Sequence, residues 1–244
     1  MSCIIEMKNV SFDAQNRTLV NGISYQFDEG RTTALVGPSG CGKSTVLKLA
    51  AGLILPSEGQ VFYHDKDIAR MNRAENLVFR QEGAVVFQDS ALWANQSLFQ
   101  ILELPLRLHF PRMTPAERER RVREVAYEAG YRKDLGIRPA QLSMGEQKMI
   151  AFARAMVCSP NLLYLDQWTE SLDDNASRRL INIVKNMRKQ GASIILVSHD
   201  IRIIRDLADI VVIINKGQVL LWLTREQITN DEDISRYLEG DMEE

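Results

Sequence analysis

The chain has 244 residues, 45% of them hydrophobic and 25% charged, enough apolar content for a large buried core, so one domain with a smaller lobe or insertion is expected. With 30 Lys and Arg against 32 Asp and Glu the formal charge is −2, which excludes the broad basic footprint of a nucleic-acid binder. Cys3, Cys41 and Cys158 have neither disulfide nor zinc spacing, which fits a reducing, cytoplasmic compartment; no signal peptide and no run of about 18 apolar residues is legible, so membrane work requires a partner chain.

Strand-like segments at 4–10 and 23–27 read as early antiparallel strands packed at one side. A third, 32–36, is short and apolar, and Val46–Ala51 beyond it reads as a helix. Between them, Gly37, Pro38, Ser39, Gly40, Cys41, Gly42, Lys43, Ser44 and Thr45 satisfy the phosphate-loop pattern G-x-x-x-x-G-K-[ST] in the strand, loop, helix context it requires. The chemistry follows from the residue types. Glycines let backbone N–H groups crowd around phosphates, the helix start adds its positive end, Lys43 adds a cation, and the Ser44 hydroxyl is a Mg²⁺ ligand. The stretch predicts binding of a nucleoside triphosphate with Mg²⁺.

Further strands are expected at 60–63 and 84–88. Between Gln88 and Leu142 the pattern is helical with two proline-containing breaks, Leu104-Pro105 and Phe110-Pro111, which predicts an inserted helical lobe over approximately 89–158. Arg118 to Arg123 is interleaved with Glu117, Glu119 and Glu124 and reads as a solvated helix face. Leu142-Ser143-Met144-Gly145-Glu146 precedes an apolar helical face on Gln147–Val157, and Ser143 with Glu146 has the spacing of a capping box. Strands follow at 161–166, 193–197, 210–215 and 218–222, the first ending in Asp166. This alternation predicts an α/β fold, a P-loop NTPase (RecA-like) core of mostly parallel strands with an antiparallel β subdomain and an inserted helical subdomain. Residues 1–223 form the expected ATPase domain, and 224–244 an acidic tail.

In order and spacing these features resemble the ABC transporter ATPase family over roughly residues 4 to 223. The Ser143 segment is similar to the LSGGQ signature, with Met144 for a glycine and Glu146 for the glutamine; a capped helix start with a neighbouring glycine is compatible with offering Ser143, Gly145 and backbone N–H groups to a phosphate. Leu162 to Asp166 resembles a Walker B strand. The resemblance implies that Asp166 supports Mg²⁺ with Ser44 and Gln88, that Phe12 stacks on adenine, that Gln88 is the Q-loop glutamine, that Ser171-Leu172-Asp173 is the D-loop, and that His199 is the switch histidine. It also implies a head-to-tail pair of two copies sandwiching ATP between the phosphate loop of one and Ser143 of the other. Integral membrane permease subunits would dock beside Asp89 to Trp93, placing the protein peripherally on the cytoplasmic face of the inner membrane.

One departure bears on catalysis. Where the family has a glutamate after Asp166, this chain has Gln167, followed by Trp168 instead of proline. Glutamine cannot take a proton as a general base, although it can orient a water, so slow hydrolysis is expected; Glu170, three residues further on, is not expected to occupy the same place. Gly83 to Phe87, Ala91 to Trp93, Leu104 to Arg107 and Ile234 to Gly240 are similar to ATPases of Mla-type systems, which move phospholipid with MCE-domain proteins. In such ATPases the tail reaches the other copy, a role open to Tyr237 and Leu238. Amino-acid and lipoprotein ABC systems, or a regulatory ABC ATPase outside transport, are the alternatives.

Overall fold

The computed structural model describes residues 2–14 and 17–228. Tyr237 and Leu238, expected to reach a second copy, lie outside the described residues.

Among the described residues, ten strands form two sheets. In the first, β1 (Cys3–Ala14), β2 (Arg17–Asp28), β4 (Glu58–Tyr63) and β5 (Lys66–Asp67) pair antiparallel in the order β2-β1-β4-β5. In the second, β3 (Thr32–Val36), β6 (Gly83–Val86), β7 (Leu162–Asp166), β8 (Ser193–Val197), β9 (Ile210–Asn215) and β10 (Gln218–Thr224) run in the order β10-β9-β3-β8-β7-β6. Only the β9–β10 hairpin at its edge is antiparallel.

The parallel strands read as unbroken apolar runs because both faces of their sheet are covered. Alternate side chains go to different cores. Ala34, Val36, Leu163, Leu165, Ile194, Leu196, Val211 and Ile213 enter a core built with the helices. Leu35, Leu162, Tyr164, Ile195, Val197, Val212 and Ile214 enter a second core shared with the antiparallel sheet and α1 (Lys43–Ala50). The period of two along each strand thereby holds the two subassemblies against opposite faces of one sheet.

Between β6 and β7 the chain makes α3 (Leu98–His109), α4 (Pro115–Ala129) and α5 (Met144–Met156). α2 (Arg73–Glu82) precedes β6, α6 (Asp174–Lys189) follows β7, and α7 (Ile201–Leu207) follows β8. The proline at Leu104-Pro105 does not break the chain there: Pro105 lies inside α3. A proline within a helix costs about 3 kcal/mol, whereas burying one Leu or Ile side chain contributes about 1.5–3 kcal/mol. Leu98, Ile101, Leu102 and Leu106 are all buried on that helix, so the apolar stripe outweighs the lost hydrogen bond. The second break holds, with Phe110 capping α3 just before Pro111. α1 starts at Lys43, earlier than the apolar pattern indicates, and β6 ends at Val86, leaving Phe87 and Gln88 in the following loop.

Candidate nucleotide-binding and hydrolysis site

The ends of β3, β6, β7 and β8 bring the candidate residues to one side of the parallel sheet. The loop from Gly37 to Gly42 leaves β3 and turns into α1 in a conformation that only glycine accommodates at two points. A Cβ on Gly37 (φ +149°) would stand 2.0 Å from the Ile214 carbonyl oxygen, and one on Gly42 (φ +108°) 2.5 Å from that of Leu19. The loop is therefore seated against both β9 and β2. Ser39 and Gly40 are exposed on its outer side, and Cys41 is buried beneath it.

The start of α1 differs from every other α-helix start among the described residues. α2, α3, α4 and α5 open with capping boxes, and α6 and α7 with Asp173 and Asp200 accepting from backbone N–H groups. α1 has Gly42 at its cap, no side-chain cap and no acidic residue in its first turn. Its orphan N–H groups and dipole are left for an external anion. Lys43, only 5% exposed, donates to the carbonyls of Gly37 and Pro38 at 2.7 Å each, and burial pushes its pKa down from the ordinary value. Thr45 is half-buried one residue beyond Ser44.

Ser44 Oγ donates to Asp166 Oδ1 at 2.9 Å, although the two are 122 residues apart. Burial raises the Asp166 pKa, opposed by the Ser44 hydrogen bond and by the positive charges of Lys48 and Lys148. A hydroxyl beside a buried carboxylate is a hard-oxygen pair of the kind that holds Mg²⁺ together with substrate phosphates. Among the described residues no cluster of three or more His, Cys, Asp or Glu is placed for a metal, so phosphate oxygens would complete such a coordination shell.

Past Asp166 the chain turns back on itself. Gln167 has φ +44°, its N–H donates to Val197 O at 3.0 Å, and Glu170 N–H donates to Gln167 O at 3.2 Å, closing a turn over 167–170. The turn brings Glu170 beside residue 167 without putting it in the same place: three extended residues would span about 10 Å, but here the side chains of 167 and 170 meet. The Gln167 side-chain amide lies 2.9 Å from Glu170 Oε1 and 3.1 Å from His199 Nε2. Gln88 Nε2 donates to Glu170 Oε2 at 3.2 Å. Gln88 and His199 thus both meet the Gln167–Glu170 pair. Burial lowers the His199 pKa, reinforced by Lys43 and opposed by Glu170.

Two cations on α5 hold this arrangement from behind. Lys148, 4% exposed, donates to Gln167 O at 3.4 Å, to Phe87 O at 3.3 Å and to Gln88 O. Arg154 donates to Ser90 O at 3.2 Å and Ala91 O at 2.5 Å, and its guanidinium lies 5.5 Å from the Trp93 ring centre. The helix that begins at Ser143 is therefore tied to the loop after β6 and to the turn after β7. Sequence reasoning missed both residues, although Lys148 shares one helical stripe with Ala151, Phe152 and Ala155, all buried. Trp168 is fully buried, stacked on Phe152 with ring centres 5.7 Å apart, so the residue in the usual proline position packs the turn onto α5.

The remaining sequence candidates sit elsewhere. Ser143 is exposed and caps α5: its hydroxyl donates to Glu146 Oε2 at 2.9 Å and accepts from Glu146 N at 3.3 Å. A Cβ on Gly145 would stand 3.1 Å from Ser171 O, so a glycine there lets the α5 start approach the segment after Glu170. Asp173 caps α6 by accepting from Ala176 N at 2.8 Å. Phe12 is half-buried on β1, opposite Val20, against the core of the antiparallel sheet.

A sequence model of the family described as ABC transporter matches residues 20–170, more than half of the chain. The chain belongs to the ABC transporter family. Its curated relatives include the nickel import ATP-binding protein NikE of Shigella flexneri, 32% identical over 93% of this chain and 86% of that protein. The intermembrane phospholipid transport system ATP-binding protein MlaF of Haemophilus influenzae is 30% identical over 98% of this chain and 92% of its own length. Among solved structures, the ATP-binding cassette MJ0796 in a dimeric post-hydrolysis state bound to ADP and Pi superposes with a TM-score of 0.84 at 26% identity, covering 91% of this chain and 99% of that one. The two-sheet architecture with its inserted helices is the P-loop NTPase fold of these cassettes, and the chain is an ABC transporter ATPase subunit. No helix among the described residues is long and apolar enough to cross a membrane.

Proposed function

We propose that this ABC ATPase works as a head-to-tail homodimer on integral membrane permease subunits at the cytoplasmic face of the inner membrane, and that its cargo is phospholipid. The observation that carries the nucleotide assignment is the uncapped α1 start with Lys43 behind it and the Ser44–Asp166 pair beside it. ATP phosphates lie along Gly37, Ser39, Gly40, Cys41, Gly42, Lys43, Ser44 and Thr45, with adenine on Phe12. Ser44, Asp166 and Gln88 are the residues to hold Mg²⁺, which would neutralise charge developing between the β- and γ-phosphates. Gln167 orients the attacking water with His199 and keeps hydrolysis slower than a glutamate at that position would.

Ser143 faces solvent at the start of α5, and within its own chain its hydroxyl meets Glu146, which supports its use, with Gly145 and Asp173, toward ATP held by a second copy. The dimeric MJ0796 cassette supports the same reading. The permease surface is assigned to Asp89–Trp93, where Trp93 is an exposed apolar side chain. ATP closes the dimer, and loss of the γ-phosphate contacts releases it, converting chemistry into motion.

Phospholipid is favoured by the relative MlaF, which matches along nearly the whole of both chains, and an MCE-domain protein is the partner that reading implies. Import of a metal ion is the second reading, favoured by NikE at similar identity. The test of assembly is light scattering with and without ATP: Ser143→Arg should bind ATP as a monomer and fail to dimerise, and a variant that dimerises normally would refute the sandwich. The cargo is tested by recovering the chain from membranes with its permease and measuring lipid transfer between vesicles; ATP-dependent nickel uptake without lipid transfer would replace the lipid assignment.

A further inference from the structure

The ABC family places a glutamate directly after the strand-terminal aspartate, and this chain has none there, yet a carboxylate stands in the same cluster. We propose that Glu170 is the proton acceptor for the attacking water in this ATPase, with Gln167 and Gln88 positioning its carboxylate. This rests on the ATPase reading above and names the group that the Gln167 substitution leaves missing.

The turn over 167–170 supplies the means. By reversing the chain directly after β7, it returns the side chain of residue 170 to that of residue 167, where the Gln167 amide lies 2.9 Å from Glu170 Oε1 and Gln88 Nε2 donates to Oε2 at 3.2 Å. The negative charge of Glu170 is felt at Asp166, at Lys148 and at His199, which places it amid the ends of β7 and β8 and the start of α5.

Proton chemistry then selects among the cluster members. Neither glutamine side chain takes a proton near neutral pH. His199 directs Nε2 at the Gln167 amide, 3.1 Å away, so the nitrogen facing the cluster is already engaged. Asp166 is buried and already accepts from Ser44. Glu170 is exposed, accepts from Gln88 on one oxygen, lies against the Gln167 amide with the other, and keeps further lone pairs for a water.

The step balances without a further reactant. The water oxygen forms a bond to the γ-phosphorus while the bond from that phosphorus to the β–γ bridging oxygen breaks, and the bridging electron pair leaves with ADP. The water proton passes to a Glu170 carboxylate oxygen and from there to the released phosphate or to solvent, restoring the carboxylate.

The experiment measures phosphate release and ATP affinity for the full chain with its membrane partner, in the unaltered protein, in Glu170→Gln and in the double variant Gln167→Glu with Glu170→Gln. Glu170→Gln keeps the side-chain shape at an exposed position. It should lower turnover by roughly 10²–10⁴-fold, the contribution of a positioned general base, with ATP affinity unchanged. The double variant moves the carboxylate to position 167 and should recover turnover. Parental turnover in Glu170→Gln, a parallel loss of ATP affinity, or a double variant no better than Glu170→Gln alone would each overturn the assignment. Absence of turnover in the unaltered protein would instead overturn the ATPase reading beneath it.

Discussion

The two halves of the candidate site are built in opposite ways. The phosphate side is one contiguous segment, β3 through the loop into α1, whose glycines, lysine and serine are neighbours in the chain. The water side is assembled from four separate places: the loop after β6 with Gln88, the turn after β7 with Gln167 and Glu170, the end of β8 with His199, and Lys148 on α5. A contiguous site is fixed by local backbone geometry, so each residue's place follows from its spacing. An assembled site tolerates exchange of parts, because a carboxylate can enter the same space from a different position once a turn redirects the chain.

That contrast can be broken at either half. The largest effect is expected on the phosphate side. Lys43→Ala removes the buried ammonium behind the loop, and since hydrogen bonds to charged groups are worth about 1.5–3 kcal/mol each, ATP affinity should fall by roughly 10²-fold in an equilibrium titration. Unchanged affinity would mean that the loop is not where the phosphates bind.

Lys148→Met should act on the water side alone. The side chain is of similar length and apolar, but it leaves the carbonyls of Phe87, Gln88 and Gln167 without their buried donor, at a cost of about 1–3 kcal/mol for a group so stranded. Denaturant unfolding should show that loss, and phosphate release should drop about tenfold or more as the cluster loosens, while ATP affinity holds. Equal losses in affinity and turnover would show that the two halves are mechanically one.

The smallest effect concerns the cap of α5. Lys133, at 2.6 Å, and the Ser143 hydrogen bonds hold the Glu146 carboxyl down at about 2, below its ordinary 4.5. A depressed carboxyl contributes stability that is present above the ordinary value and is lost as pH falls toward 2. Being near the surface, the pair is screened, and Glu146→Gln should cost less than about 1 kcal/mol near neutrality. Thermal melting should show that difference shrinking as the pH is taken down through the 4.5 to 2 interval; a gap that grows on acidification would contradict the sign.

Much of the fold is legible because the physics involved is local. Short apolar runs mark β3 (Ala34–Val36), β7 (Leu162–Leu165) and β8 (Ile194–Val197), capping spacing marks the start of α5, and the phosphate-loop pattern marks the turn into α1. Pro105 shows where local rules stop: the proline signal is a break, but the buried stripe on α3 carries the helix through it, and the strength of that stripe depends on what α3 packs against.

The sequence by itself determined the family, the order of the motifs and the absence of a glutamate after Asp166. Tertiary structure alone decided that Glu170 faces Gln167 and Gln88, since a positive φ at Gln167 and one backbone hydrogen bond reverse the chain there and no residue pattern encodes that reversal. It also decided what a lysine in an apolar helical stripe is for. Lys148 is buried because three backbone carbonyls, from two loops distant in the chain, converge on its ammonium, and only the packing of α5 against the ends of β6 and β7 brings them within reach.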